Sequence, residues 1–206
     1  MKKKQTLALL LAGAMLVPNA FAASPEDFHD FPTDWSAAGL RSAVDNGLLN
    51  GANGRIDGNG LLTRAQMAAI INRAFAAKKT ADLSGYNDVS ADAWYRSDLA
   101  AAVAMGTFQG ASGQLNPERP ITREEAFAVL ARAFALESGS AASLNVFSDS
   151  ASVSSWAADS TATLVENGYV NGANGALNPK SNITRAEFAK IISDMASTYA
   201  DASASL

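Results

Sequence analysis

The chain has no cysteine and a single histidine, His29, among its 206 residues. Without cysteine there is no disulfide framework and no lipid-modified thiol, so the burial of apolar side chains must hold the fold. One histidine gives no basis for a zinc site or a serine–histidine pair, and no phosphate-binding glycine–lysine loop is present. The carboxylates are scattered rather than paired. We therefore expect no metal, no cofactor and no enzymatic activity.

Long apolar runs are also absent, except near the N-terminus. Three lysines at 2–4 precede the apolar segment 7–17, and Ala20-Phe21-Ala22 has a small residue at each end. This pattern is typical of a secretory signal peptide, and it predicts that residues 1–22 are a leader removed on export. The apolar segment is shorter than a membrane-spanning helix requires. We therefore predict a secreted mature chain that contains no transmembrane segment.

Basic residues are fewer than acidic ones. The chain has 16 lysines and arginines against 20 aspartates and glutamates. Removal of the three lysines of the leader leaves 13 basic residues and a net charge of −7. An acidic exported chain argues against nucleic acid as a partner.

The strongest positive feature of the sequence is a unit repeated three times. Each copy has a tryptophan, then two glycines and a threonine–arginine pair at constant distances, and tryptophan to arginine is 29 residues in every copy. The positions are Trp35, Gly47, Gly51, Thr63 and Arg64 in copy one; Trp94, Gly106, Gly110, Thr122 and Arg123 in copy two; and Trp156, Gly168, Gly172, Thr184 and Arg185 in copy three. Repeats of this length are supersecondary units that bury their apolar faces on one another.

Each copy predicts a helix, a loop and a second helix. The first helix begins near the tryptophan and ends at the first glycine, which tolerates the left-handed backbone found at helix C-termini. A glycine-rich turn follows, such as NGANGRID at 50–57. The second helix begins with a Thr-x-x-Gln/Glu capping box and continues with apolar residues at helical spacing. The predicted fold class is all-α.

The arginine of each copy lies in the first turn of the second helix, where a cation opposes the helix dipole. Its recurrence as Arg64, Arg123 and Arg185 suggests an anionic partner. Backbone N–H groups of the helix and a guanidinium directed at one point would form a joint anion site, suited to a carboxylate. The alternative is that each arginine pairs with an acid of a neighbouring copy and holds the copies together. Arg119 would add a second cation beside Arg123.

The tryptophans and the second glycines are further candidates for ligand binding. Trp35, Trp94 and Trp156 present aromatic faces that pack well on the C–H face of a sugar, but a role as core or groove-wall residues is equally open. Gly51, Gly110 and Gly172 serve turns first, and their missing side chains would let a glycan approach the backbone. The aspartates of the aromatic-x-Asp elements, Asp30, Asp88 and Asp149, are expected to cap turns rather than to contact an anion.

Taken together, these motifs resemble the S-layer homology repeat, abbreviated SLH. The residues that carry the resemblance are the aromatic-x-Asp element, the tryptophan, Gly-x-x-x-Gly, Asn-Pro at 116–117 and 178–179, and Ile-Thr-Arg-(Ala/Glu)-Glu at 121–125 and 183–187. The resemblance spans residues 28–199. It divides the chain into repeat 1 at 28–79, repeat 2 at 86–138, repeat 3 at 147–199 and a flexible tail at 200–206.

The resemblance implies a pseudo-threefold spindle around a central three-helix bundle, with binding grooves between neighbouring repeats. It implies a non-enzymatic module at the cell surface that binds an anionic secondary cell-wall polymer, a pyruvylated glycan. The alternative is the N-terminal anchoring part of an S-layer or outer-membrane protein that binds modified peptidoglycan, with other envelope proteins as partners. Copy one departs from the pattern, because it has Asp57-Gly58 in place of Asn-Pro and Gln66 in place of glutamate. We therefore expect its groove to fit the family least well.

Overall fold

The computed structural model describes residues 23–204, so the predicted leader at 1–22 lies outside the described residues. Within them the fold is all-α, as predicted, with isolated bridges but no strand. The six α-helices are α1 (Ala37–Asp45), α2 (Arg64–Ala74), α3 (Arg96–Ala104), α4 (Arg123–Ala133), α5 (Ala158–Glu166) and α6 (Arg185–Ala204). Short 3₁₀ turns lie at Pro25–Asp27, Ala141–Val146, Ser150–Ser152 and Ser155–Ala157.

The first helix of each copy begins and ends at the predicted signals. Helices α1, α3 and α5 each begin two residues after the tryptophan of their copy. Each is followed by a glycine in the left-handed region, with φ of 66° at Gly47, 74° at Gly106 and 74° at Gly168. A side chain there would be strained, which is why a glycine ends each helix.

The second helix of each copy begins with a complete capping box. In copy one the Thr63 hydroxyl accepts from the backbone N–H of Gln66 at 3.2 Å, and the Gln66 carbonyl oxygen accepts from the backbone N–H of Thr63 at 3.1 Å. The pairs Thr122/Glu125 and Thr184/Glu187 make the same reciprocal hydrogen bonds. The sequence prediction of three helix starts is confirmed.

The C-terminal end of the third copy differs from the others. Helices α2 and α4 are followed by an aromatic cap residue and then by Ala76 and Ala135, with φ of 48° and 49°. Helix α6 continues instead to Ala204, so residues 200–204, which we predicted as part of a flexible tail, have helical backbone. Alanine favours helix and no glycine or proline interrupts this segment. Residues 205–206 lie outside the described part of the chain.

Neighbouring copies are interlocked through their helices. The short helix of each copy packs against the long helix of another: α3 on α2, α5 on α4, and α1 on α6. The α1–α6 contact is close, since a Cβ on Gly39 would lie 2.7 Å from the Cα of Lys190. One continuous cluster of buried apolar residues runs through all three copies. No copy is packed independently of the other two.

A closed cycle of backbone hydrogen bonds joins the copies just before the long helices. The Leu62 N–H donates to the Ile183 carbonyl at 3.1 Å, the Ile183 N–H to the Ile121 carbonyl at 3.0 Å, and the Ile121 N–H to the Leu62 carbonyl at 2.9 Å. All three side chains are fully buried. This cycle holds the N-termini of α2, α4 and α6 together and thereby positions the arginine that opens each helix.

Candidate functional site

The nine residues predicted to bind a ligand gather into three grooves, each of which contains one arginine, one glycine and one tryptophan. We number the grooves by the copy that supplies the glycine loop. Groove one contains Arg185, Gly51 and Trp94; groove two contains Arg64, Gly110 and Trp156; and groove three contains Arg123, Gly172 and Trp35. Every groove therefore takes its three residues from three different copies. Groove three holds a cavity of about 440 Å³.

The tryptophans line the groove walls and remain largely exposed. Their exposed fractions are 60% for Trp35, 63% for Trp94 and 59% for Trp156, although most other large apolar side chains among the described residues are buried. Each follows a loop and precedes a short helix, which directs it into the groove of a neighbouring copy. An exposed indole at the edge of a polar groove suits stacking on a sugar and donates one N–H.

The arginines connect neighbouring copies through the backbone. The Nε–H of Arg64 donates to the Leu115 carbonyl at 2.7 Å, and Arg123 and Arg185 make the equivalent bonds to Leu177 at 2.8 Å and to Ile56 at 2.9 Å. Burial lowers the pKa of Arg64 and of Arg185 from the ordinary value of an arginine, but both side chains remain charged at neutral pH. Each cation is thus held in place by the loop of the next copy.

Two of the three arginines also form ion pairs across the copies. Arg64 lies 3.4 Å from Glu125, and Arg123 lies 2.6 Å from Glu187, both through the terminal guanidinium nitrogen Nη1. In copy one the equivalent position is Gln66, and Arg185 makes no ion pair with any residue in 23–198, the range whose side chains the structure describes. The interpretation that each arginine pairs with an acid of a neighbouring copy therefore describes grooves two and three but not groove one.

The expectation that helix N–H groups contribute to an anion site is wrong. The N–H groups of Arg64 and Ala65 donate to the carbonyls of Arg119 and Pro117 at 3.1 and 2.9 Å, and the first two N–H groups of α4 and α6 are bonded in the same way. The third N–H of each helix donates to its threonine cap. The chain of the next copy packs over each helix start and satisfies these donors. The first three N–H groups of each long helix are therefore not available to an anion in a groove.

Arg119 lies in a different groove from the one expected. Its Nη2 donates to Glu125 at 2.5 Å, so it shares that carboxylate with Arg64 in groove two and does not lie beside Arg123. The reason is the order of the copies, because the loop of copy two faces the arginine of copy one. Burial would raise the pKa of Glu125, but the hydrogen bonds from Arg119 and the Thr122 N–H outweigh it and lower that pKa.

The second glycines are required for packing inside the protein. A Cβ on Gly51 would overlap the ring of Phe28, one on Gly110 the ring of Tyr86, and one on Gly172 would lie 2.8 Å from Phe147. These rings belong to the aromatic-x-Asp elements, which lie under the loops. The missing side chains make room for the rings, while the glycine backbones line the grooves.

The aspartates of the same elements hold the glycine loops in shape, as expected. Asp149 accepts from the backbone N–H groups of Leu177 and Asn178 at 2.8 and 2.7 Å, and Asp30 and Asp88 make the equivalent bonds. Burial would raise the pKa of Asp149, but these two donors outweigh it and the pKa falls below its ordinary value of 3.8. These carboxylates are structural clamps.

Sequence reasoning missed a buried cluster at the junction of copies two and three. Glu124, with 4% of its surface exposed, accepts from the Lys180 ammonium at 2.6 Å and from the Ser154 N–H at 2.9 Å. The only signal was that Glu124 replaces the alanine found at this position in the other copies. The cluster joins α4 to the turn before α5.

Metal-binding clusters and membrane-spanning helices are both absent from residues 23–204. No group of three or more histidine, cysteine, aspartate or glutamate side chains in this range is arranged to hold a metal ion. No helix in this part of the chain is both long and apolar enough to cross a membrane.

Comparison with known proteins connects this arrangement to a family. The family model of the S-layer homology domain matches residues 85–127 and 146–189, which lie in copies two and three. The chain is 37% identical over 192 residues to the surface-layer 125 kDa protein of Lysinibacillus sphaericus, an alignment that covers 90% of this chain and 16% of that protein.

Two other relatives show where such sequences occur. An amylopullulanase of Thermoanaerobacterium thermosulfurigenes is 31% identical over 80% of this chain and 9% of its own length. The S-layer protein sap of Bacillus anthracis is 26% identical over 92% of this chain and 24% of its own length. The chain thus corresponds to a small part of each of these relatives, which are proteins of different kinds.

Proposed function

Because the chain belongs to the S-layer homology domain family, we propose that it is a non-catalytic module that anchors itself, or a protein joined to it, to the cell envelope. The proposed ligand is an anionic secondary cell-wall polymer that carries pyruvylated sugars, bound in grooves one to three at the cell surface. An S-layer protein and an enzyme among the relatives, both aligned only over this module, support a shared role in attachment rather than in catalysis.

One observation carries the proposal: each groove combines a guanidinium, an exposed indole and a glycine backbone. An indole face packs on the apolar face of a sugar ring, and an arginine fork matches a carboxylate. Since the mature chain has a predicted charge of −7, an anionic ligand must be attracted by these local cations rather than by the overall field.

We also propose that the three copies are the repeats 28–79, 86–138 and 147–199 of a pseudo-threefold spindle, with α2, α4 and α6 as its central bundle. The cyclic hydrogen bonds of Leu62, Ile121 and Ile183 support this arrangement, as does the edge-to-face contact between Phe75 and Phe134, whose ring centres are 5.1 Å apart. A pseudo-threefold axis would give the three grooves the same backbone geometry, so that they would differ only in their side chains.

The experiment is co-sedimentation of the exported chain with purified cell walls of a bacterium that bears an S-layer. Three wall preparations are compared: intact walls, walls stripped of secondary polymer by hydrofluoric acid, and walls that lack the pyruvyl group. We expect binding to the first and strongly reduced binding to the other two. Equal binding to all three preparations would show that the polymer is not the ligand.

The structure also selects the variants. Replacement of Trp35, Trp94 and Trp156 together by alanine removes exposed side chains and should abolish wall binding while the fold persists. Val146→Ala is the matched control, because Val146 is 76% exposed and lies outside the grooves. Circular dichroism verifies the fold of both variants.

A second candidate function differs from the first in the ligand and in the kind of protein to which the module belongs. The identity of 37% to a surface-layer protein favours an anchoring part of a structural S-layer or envelope protein. For this candidate the proposed partner is modified peptidoglycan. Binding to walls from which the secondary polymer has been stripped, lost when the remaining peptidoglycan is digested, would support this candidate over the first.

A further inference from the structure

Trp156 is held in groove two differently from the tryptophans of the other grooves. It lies within the 3₁₀ turn Ser155–Ala157, which has no counterpart before the short helices of copies one and two within residues 23–138. The Ala157 N–H donates to the Ser154 carbonyl at 2.9 Å, and Ala157 is fully buried. The indole is exposed, but the backbone that carries it is closed into a turn.

A carboxylate from another copy holds the start of this turn. Glu124, in the first turn of α4, accepts from the Ser154 N–H at 2.9 Å through Oε2 and from the Ser154 hydroxyl at 3.0 Å through Oε1. The Lys180 ammonium donates to the same Oε1 at 2.6 Å and to the Ser154 hydroxyl oxygen at 2.5 Å. Glu124 is buried, whereas 55% of the Lys180 side chain is exposed. The carboxylate has its charge paired and both oxygens bonded, which fixes its position.

The other two copies carry alanine at the position of Glu124. The residue after the arginine that opens the long helix is Ala65 in copy one and Ala186 in copy three, and an alanine side chain has no hydrogen-bond acceptor. Helix α3 packs on α2 and helix α1 on α6 as α5 packs on α4, so the three junctions are otherwise alike. The carboxylate clamp is therefore particular to the junction of copies two and three.

The tryptophans of the other grooves have local braces instead. Next to Trp35, the Asp34 carboxylate accepts from the Ser36 N–H at 2.9 Å and from the Ser36 hydroxyl at 2.6 Å. The Trp94 ring meets the buried ring of Tyr95 edge-on, with 5.3 Å between the ring centres. Both braces join residues that are close neighbours in the chain. The brace in groove two instead spans 30 residues and joins two copies.

We propose that Glu124 is the positioning residue of Trp156 and thereby sets the shape of groove two. By fixing Ser154 it restricts the backbone of the turn, and with it the direction in which the indole projects beside Arg64 and Gly110. An aromatic wall that is already oriented loses less conformational entropy when it stacks on a sugar ring. This inference rests on the proposed function for its effect on binding, while the ordering of Trp156 is measurable without a ligand.

The first experiment measures the order of the indole by time-resolved fluorescence anisotropy of the exported chain. Trp35→Phe and Trp94→Phe together leave Trp156 as the single tryptophan, and both replaced side chains are largely exposed. We expect Glu124→Ala to increase the amplitude of the subnanosecond decay roughly twofold, because a side chain on a loosened turn reorients on the ps–ns timescale. Alanine is the residue that copies one and three carry at this position, so the start of α4 should persist.

The matched control carries the same change in a chain whose single tryptophan is Trp94. That indole is braced by Tyr95, so its anisotropy decay should not respond to Glu124→Ala. An unchanged Trp156 decay in the folded Glu124→Ala chain overturns the inference, as does an equal change at Trp94. Circular dichroism verifies folding, and where Glu124→Ala is unfolded, the isosteric Glu124→Gln takes its place with the same two outcomes.

The second experiment asks whether Glu124 acts on binding through Trp156. The affinity for intact cell walls is measured for the wild type, Glu124→Ala, Trp156→Ala and the double variant. We expect Glu124→Ala to weaken binding roughly threefold in the wild type and to have no further effect once Trp156 is removed, because residues that act through one contact are not additive. A purely structural role would weaken binding equally in both backgrounds, and that result would overturn the positioning role.

The outcomes separate this inference from the proposed function. If the wild type does not bind walls, the anchoring role fails, and the anisotropy measurement still decides whether Glu124 orients Trp156. If the wild type binds walls but the Trp156 decay does not respond, or the two substitutions are additive, the positioning role fails and the anchoring role stands.

Discussion

Grooves one and two use the same positions of successive copies, yet their arginines are in different electrostatic states. Arg64 in groove two is almost fully buried and is paired with Glu125, which Arg119 also contacts. Arg185 in groove one has the same carbonyl contact but faces an amide. At the capping position the difference is one atom, an oxygen replaced by an NH₂ group. It distinguishes an arginine that is paired with an acid from one that forms no ion pair with any described side chain.

The comparison teaches that a repeated motif need not have a repeated role. The capping box works equally with glutamine or glutamate, because the cap needs only one acceptor oxygen. The second atom of the side chain is therefore free to vary without loss of the helix start. In this chain that second atom decides whether the neighbouring arginine is neutralised.

The largest expected effect is the loss of the carboxylate in groove two. Glu125→Ala leaves the buried guanidinium of Arg64 without its acid and removes half of a capping box, so the free energy of unfolding should fall by about 3 kcal/mol. Gln66→Ala removes only the cap and should lower it by about 1 kcal/mol. Urea denaturation of both variants gives the comparison, and equal losses would show that the Arg64–Glu125 pair is not cohesive.

A smaller change in the free energy of unfolding, of opposite sign, is expected when the capping residue of groove one is made the same as that of groove two. Gln66→Glu places an acid opposite a guanidinium that is already desolvated, so it should raise the free energy of unfolding by about 1 kcal/mol. Thermal and urea denaturation measure the change. Gln66→Met, which resembles glutamine in size but lacks the cap acceptor, is the control and should destabilise the protein. A Gln66→Glu protein less stable than the wild type would contradict this account of Arg185.

The dependence of stability on acidic pH should further distinguish the capping box that contains Glu125 from the one that contains Gln66. The pKa of Glu125 lies below its ordinary value of 4.5, since burial is outweighed by the Arg119 and Thr122 hydrogen bonds. A group with a lowered folded-state pKa stabilises the protein above its unfolded pKa and loses that contribution as the pH falls through the folded value. The wild type should therefore lose stability below about pH 4.5, and Glu125→Gln should lose less over that range. Equal pH dependence in urea titrations would argue against a stabilising role of the carboxylate.

The smallest expected effect on stability comes from the groove walls. Trp94 is 63% exposed, so Trp94→Ala should change the free energy of unfolding by no more than ~0.5 kcal/mol. The same change should weaken the binding of intact walls, because it removes the stacking face of groove one. Co-sedimentation and urea denaturation of one preparation measure both quantities. A large loss of stability would identify the tryptophan as a packing residue instead.

Local signals in the sequence predicted most of the fold. The glycines that end α1, α3 and α5 and the threonines that cap α2, α4 and α6 act through their immediate neighbours, so their roles were readable from short motifs. The extension of α6 was missed because a polar, alanine-rich segment is ambiguous between helix and loop. The sequence also predicted that arginine, tryptophan and glycine residues line the grooves. It did not predict that each groove takes these three residues from three different copies.

The sequence by itself determined the threefold repetition, the starts of the six helices and the set of arginine, tryptophan and glycine residues that line the grooves, because each depends on local backbone and capping chemistry. Only the tertiary structure decided which copies share a groove and which donors remain open. The first N–H groups of the long helices donate to carbonyl oxygens of the next copy. The acids that neutralise Arg64 and Arg123 lie 61 and 64 residues away along the chain. Contacts at that separation depend on how the copies pack, so the availability of Arg185 becomes visible only when they are assembled.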